Sequence, residues 1–191
     1  METLLTKISS CELCKAHLPL GPYPIVAAHS KVKVVIISQA PGGKAHRTGI
    51  PWDDPGGQQL RKWLGVTDEE FYEKTRFAFM PMGFCYPGKG VSGDLPPRPE
   101  CAPLWHKALL ERMSNLQLAI LVGQYSQKYY LAKAMRKNLT ETVKAFEDYL
   151  PTYLPLPHPS PRNRFWLTKN PWFEEEVLPA LRTIVKKIIE K

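Results

Sequence analysis

Long apolar runs are absent from the sequence. The longest, such as residues 34–37 (VVII) and 118–122 (LAILV), fall far short of the ~20 residues that a bilayer-spanning helix needs. The first residues also lack the apolar stretch of a signal peptide, so the expectation is a soluble, cytoplasmic protein that does not engage a membrane. Cysteine is scarce, four in 191 residues, which excludes a disulfide-stapled mini-protein. Internal repeats and linker-like stretches are missing too. A hydrophobic share of 43% against 23% charged excludes a disordered chain and is enough for one core. A single domain over residues 1–191, acting as a monomer, is expected.

Positive charge and proline are in excess. Lysine and arginine number 26 against 18 aspartates and glutamates, a formal charge of +8. That balance suits a polyanionic partner such as nucleic acid. The 19 prolines are about twice the average share and crowd into residues 18–24, 87–103 and 151–161. Proline-stiffened segments of this length are ordered loops, and such loops build sites.

Residues 31–38 (KVKVVIIS) are β-branched and bounded by turn residues, which predicts a buried strand. Further strands are predicted at 77–84 (FAFMPMGF), 116–122 (LQLAILV) and 153–157. Helical spacing runs through 58–64, 68–74 with Thr67 as N-cap, 104–113, 124–136 and 141–148. An amphipathic helix is predicted over 171–189, with Asn170 as cap and Pro171 in the first turn. Residues 1–30 read as an arm closing on the body. Strands alternating with helices give the α/β class: a single three-layer domain with a central, mainly parallel four-stranded sheet flanked by helices. Ligands bind such sheets at the carboxyl ends of the strands, here residues 39–43, 81–85, 123–124 and 158–160.

Cys11 and Cys14 form a C-x2-C pair, while Cys85 and Cys101 bracket fifteen residues. A cytoplasmic chain seldom uses disulfides, which leaves a metal site or ordinary buried thiols. Structural zinc generally takes two tight knuckles, and only one is present. One pair with two distant thiolates suits an iron–sulfur cluster. Spacing alone leaves all three readings open.

Residues 38–43 (SQAPGG) leave the first strand through a sharp turn, followed by Lys44. The segment departs from a Walker phosphate loop at both ends, with Ser38 in place of the first glycine and Ala45 in place of Ser or Thr. Further on, Gly49, Ile50 and Pro51 lead to Trp52, an aromatic ring fixed beside a proline. Residues 158–164 (HPSPRNR) set a histidine at a strand end with two prolines, Ser160, Arg162 and Arg164. That combination suits the grip on a phosphate backbone.

Together these segments resemble the uracil-DNA glycosylase superfamily, over nearly the whole chain from Cys11 to Asn163. The four cysteines are spaced as in the family 4 enzymes. QAPG at 39–42 is similar to the first motif, with RTGIPW (47–52) at the right distance after it. HPSPRN at 158–163 resembles the second motif in the form found in single-strand-selective monofunctional glycosylases. The resemblance implies an enzyme that flips a deaminated base, uracil or a related lesion, out of DNA and hydrolyses its N-glycosidic bond in base excision repair. It implies a [4Fe-4S] cluster on Cys11, Cys14, Cys85 and Cys101. Trp52 would stack on the base, with Ala40 and Met80 beside it. His158 would donate a hydrogen bond to the base oxygen as the leaving group gains negative charge, with Gln39 also in contact. Arg162 would enter the gap the base leaves, and Pro41, Gly42, Ser160, Asn163 and Arg164 would hold the DNA backbone.

The chain departs from the family at three places. Ala40 stands where other families place a water-activating Asp or Asn, and Gln39 and Ala45 stand where family 4 has acids. His46, Asp53 and Asp54 are the neighbouring groups able to substitute. No asparagine precedes Asn115, so the amide that pairs with uracil is missing from residues 79–83 (FMPMG). Preference for uracil over cytosine then needs another source. Lys44 belongs to the loop and no lysine stands as a Schiff-base nucleophile, so hydrolysis without a lyase step is expected. The alternative reading is a non-catalytic nucleic-acid-binding relative that keeps the cluster and the phosphate grip.

Overall fold

The computed structural model describes residues 1–190. Its strands are β1 (Val34–Ile37), β2 (Phe77–Phe79), β3 (Lys89–Gly90), β4 (Gly93–Asp94), β5 (Leu118–Val122) and β6 (Tyr153–Leu156). Four of them form one wholly parallel sheet in the order β2-β1-β5-β6, and β3 and β4 make a small antiparallel hairpin. The α-helices are α1 (Glu2–Ser9), α2 (Gly43–Thr48), α3 (Pro55–Leu64), α4 (Asp68–Tyr72), α5 (Lys107–Leu110), α6 (Gln124–Leu131), α7 (Leu139–Lys144), α8 (Arg164–Lys169) and α9 (Leu178–Ile189). Among the described residues no helix is long and apolar enough to cross a membrane.

The continuous apolar runs are explained by burial on both faces of the sheet. Val34 and Ile36 point into one core with Leu60 and Trp63 of α3, Val143 of α7 and Leu181 of α9. Val35 and Ile37 point into the other, with Ile8 of α1, Leu109 of α5 and Leu131 of α6. The expected three layers are therefore present. From β1 the chain moves to β2 on one side, then returns past β1 to β5. That reversal opens a crevice at the carboxyl ends of the strands.

Several expected boundaries move for local reasons. β2 ends at Phe79, five residues early. Its backbone still follows β1, with the Met80 N–H donating to the Ile36 carbonyl at 3.0 Å and that of Met82 to Ser38 at 2.8 Å. α3 starts at Pro55 because the Asp54 carboxylate caps it, accepting the Gly57 N–H at 2.7 Å. Thr67 caps α4 as expected, in a reciprocal capping box with Glu70. The segments expected as helices at 104–113 and 171–189 each begin with a π-helical stretch, Ala102–His106 and Phe173–Val177. The β3–β4 hairpin, α2 and α8 fall where only loop was expected.

His106 ties the second core to the end of β2. Its Nε2–H donates to the Pro81 carbonyl at 3.0 Å, which leaves Nδ1 to accept from the Tyr130 hydroxyl at 2.7 Å. Burial lowers its pKa from 6.5 to about 4. An unfolded chain takes up this proton below pH 6.5, whereas the folded chain resists until about 4. Stability supplied by neutral His106 is thus present above 6.5 and lost as pH falls to about 4, an effect of about 3 kcal/mol. Urea unfolding at pH 7 and 4.5 should show a smaller acid loss in His106→Gln than in the wild type. Equal losses would refute this source.

Candidate active site

A cleft of about 460 Å³ lies across the carboxyl ends of the strands. The loop after β1 contributes Gln39, Ala40, Pro41 and Gly42, and the turn after β6 contributes His158, Ser160, Arg162 and Asn163. Trp52 and Asp54 enter from the loop before α3, and Ser92, Gly93 and Asp94 from the β3–β4 hairpin. Ile25, Phe79 and Pro81 add apolar lining.

Trp52 sits in the left-handed backbone region at φ 60°, which costs a non-glycine residue roughly 1–3 kcal/mol. Its neighbours hold it there. The Tyr72 hydroxyl donates to the Pro51 carbonyl at 3.0 Å, and Arg61 Nη1 donates to the Trp52 carbonyl at 3.4 Å. Arg61 is itself buried, paired with Asp68 at 2.6 Å and set against the Phe71 and Tyr72 rings. A Cβ on Gly57 would stand 1.8 Å from the Trp52 carbonyl oxygen, so only glycine lets α3 approach this closely. The result places the Trp52 and His158 rings 5.7 Å apart at a 33° tilt.

The turn that carries His158 closes on itself. Asn163 Nδ2 donates to the His158 carbonyl at 2.6 Å, and Ser160 Oγ accepts the Arg162 N–H at 3.3 Å. Gly123, at the end of β5, packs behind the imidazole, with its would-be Cβ 3.7 Å from that of His158. Burial pushes the His158 pKa below its ordinary 6.5, opposed by the carboxylates of Asp54 and Asp94. The ring is therefore neutral at pH 7 and keeps one N–H to donate.

Most of the expected site residues meet in this cleft, and two do not. Met80 is fully buried in the second core, because it follows Phe79 on an alternating strand and so faces the opposite side of the sheet. Phe79 and Pro81 take the place in the lining that was expected of it. Arg164 is exposed at the start of α8, outside the cleft lining and next to Phe165, which is 81% exposed. Arg162 is engaged within the chain, since its Nη1 donates to the Ser92 carbonyl at 2.6 Å. Gln39 Nε2 reaches the Leu95 carbonyl at 3.5 Å. Both contacts hold the hairpin against the cleft. Of the groups able to replace the missing acids, Asp53 pairs with Lys44 at 3.0 Å and His46 lies against the Tyr23 and Tyr86 rings. Asp54 alone of the three lines the cleft. Asp94 was not expected at all. Gly90 and Gly93, flanking residues 91–92, are the one local signal of this hairpin, and nothing local shows where it folds.

The four cysteines meet elsewhere. Cys11, Cys14, Cys85 and Cys101 line one small cavity with Leu18, Phe84, Arg98 and Trp105. Among the described residues no three His, Cys, Asp or Glu side chains converge on a point that would hold one metal ion. The four cysteines share the lining of that cavity. Burial raises the pKa of Cys14, of Cys85 and, to about 12, of Cys101. The Trp105 indole N–H is buried without an acceptor, and hydrogen bonds to sulfur are what the surroundings of a cluster supply. The donor set and this orphaned N–H fit an iron–sulfur group.

Residues 26–182 match the family model described as the uracil DNA glycosylase superfamily. The chain is also similar to an NMR structure of a Methanosarcina acetivorans protein described as a candidate uracil DNA glycosylase. The two share 16% identity with a TM-score of 0.49, over 83% of this chain and 94% of that one.

Proposed function

The chain belongs to the uracil DNA glycosylase superfamily, and we propose that it is a DNA glycosylase that hydrolyses the N-glycosidic bond of a flipped, deaminated base. The observation that carries this reading is the pairing of the Trp52 face with a neutral His158 in a cleft built by both motif segments. Trp52 offers a stacking surface for the extruded base. His158 donates its N–H to a base oxygen, where negative charge grows as the bond to the sugar breaks. A preorganised donor at that point lowers the barrier because its partner charge exists only in the transition state. Arg162 and Arg164, on a chain of net charge +8, supply the grip on the phosphate backbone.

Among the described residues no lysine lines the cleft, so the chemistry assigned is hydrolysis without a covalent sugar intermediate. Base selection rests on the lining. Pro81 has no N–H, and its carbonyl is taken by His106. With no side-chain amide from β2 to read a pyrimidine edge, discrimination among deaminated bases is modest. We also assign to Cys11, Cys14, Cys85 and Cys101 a [4Fe-4S] cluster of the family 4 kind. It would tie the N-terminal arm to the loop carrying the hairpin.

The test is incubation of the purified protein with single- and double-stranded oligonucleotides containing uracil, hypoxanthine or xanthine, followed by alkali to cut abasic sites. Excision of more than one of these bases is expected, with no strand cut before alkali. Absence of cleavage at every lesion, with DNA still bound, would replace this reading with a binding-only relative.

A further inference from the structure

We propose that Asp54 is the catalytic carboxylate of this cleft: its Oδ2 atom accepts the proton of the attacking water, and its charge faces the sugar cation. The inference rests on the glycosylase reading and concerns a residue outside the two motifs. Asp54 is held at one oxygen, since Oδ1 accepts the Gly57 N–H at 2.7 Å as the cap of α3. Among the described residues Oδ2 makes no hydrogen bond, and it lies 3.7 Å from the point a Cβ on Gly42 would occupy. Gly42 and Asp54 line the same cleft, so this oxygen stands at its wall. A carboxylate fixed by a helix cap keeps its aim better than one on a mobile loop.

Charge requirements point the same way. Cleavage of an N-glycosidic bond develops positive charge on the sugar, and glycoside hydrolysis in general meets that charge with a carboxylate. Asp54 and Asp94 are the carboxylates that act on His158 from within the cleft. Asp94 Oδ2 reaches the same point beside Gly42, also at 3.7 Å, while Asp94 Oδ1 accepts from the Tyr86 hydroxyl at 3.4 Å; Asp94 differs in being exposed on a two-residue strand, without a helix cap to fix it. Asp53 is occupied by Lys44.

The step balances. The C1′–N bond breaks and its electron pair leaves with the base, whose oxygen His158 steadies. Water oxygen bonds to C1′, Asp54 takes one water proton, and the base receives that proton on release. The products are an abasic sugar and the free base.

Asp54→Asn is the informative variant, because asparagine caps a helix as well as aspartate does. It should melt within about 2 °C of the wild type. Its single-turnover excision should be slower by about 100-fold or more. Independently of turnover, oligonucleotides carrying a cationic pyrrolidine or a neutral tetrahydrofuran at the lesion site report the charge. Wild type should prefer the cationic sugar, and Asp54→Asn should lose about tenfold of that preference with tetrahydrofuran binding unchanged. Unchanged excision and preference would overturn the assignment. So would equal weakening toward both sugars, or transfer of the whole effect to Asp94→Asn. If the wild type excises nothing, the glycosylase reading and the water-activating role of Asp54 fail together, whereas excision that Asp54→Asn leaves intact overturns Asp54 alone.

Discussion

Replacing His158 with alanine is expected to slow base excision by about 100- to 1000-fold, or about 3–4 kcal/mol of transition-state stabilisation. The loss should fall on the single-turnover rate more than on DNA affinity, because the donor's partner charge appears only as the base leaves. The pH profile adds a check with a definite sign. Burial lowers the His158 pKa, and the neutral ring is the form that donates without repelling the cationic sugar. Wild-type activity should therefore persist below pH 6.5 and fall only as acid protonates His158. An intact rate in His158→Ala would remove the imidazole from the mechanism, and a loss confined to DNA binding would recast it as a binding residue.

Cys101→Ser should have the second large effect, on the cluster and through it on the fold. Anaerobically purified wild type should be brown, with broad absorbance near about 400 nm and matching iron and acid-labile sulfide. Cys101→Ser should lose most of that absorbance. The four cysteines join the N-terminal arm to the two feet of the hairpin loop, so binding energy at this cavity becomes folding energy. A fall in Tm of about 10 °C or more is expected. A colourless wild type carrying zinc would refute the cluster, and a brown Cys101→Ser of unchanged Tm would refute this cysteine's place in it. His158 lies in the cleft and outside the cysteine cavity, so His158→Ala should stay brown.

The structure also shows a hairpin poised between the two places. Its feet stand at Cys85 and Cys101, and its tip carries Asp94 and the Ser92 carbonyl that holds Arg162. Gly93 at the tip has φ 146°, and a Cβ there would come within 2.3 Å of Arg162 Nη1. The Arg162 guanidinium is thus docked on the chain's own backbone.

Sequence by itself determined the α/β class, the parallel sheet and two of the segments that form the cleft, those after β1 and β6. Local rules suffice there: β-branched runs such as 34–37 form strands buried on two faces, and a parallel sheet places its loops at one edge. The cap at Thr67 and the place of His158 at a strand end were equally legible, since each depends on its immediate neighbours, whereas only the family resemblance pointed to Trp52. Tertiary structure alone decided which side chains share the cleft. Met80 and Phe79 are adjacent, and the register of β2 against β1 sends one to the core and the other to the cleft. Asp54 and Asp94 arrive beside Gly42 from a helix cap and a distant hairpin. No spacing rule encodes that meeting, because it follows from how two separately formed elements pack onto the same edge of the sheet.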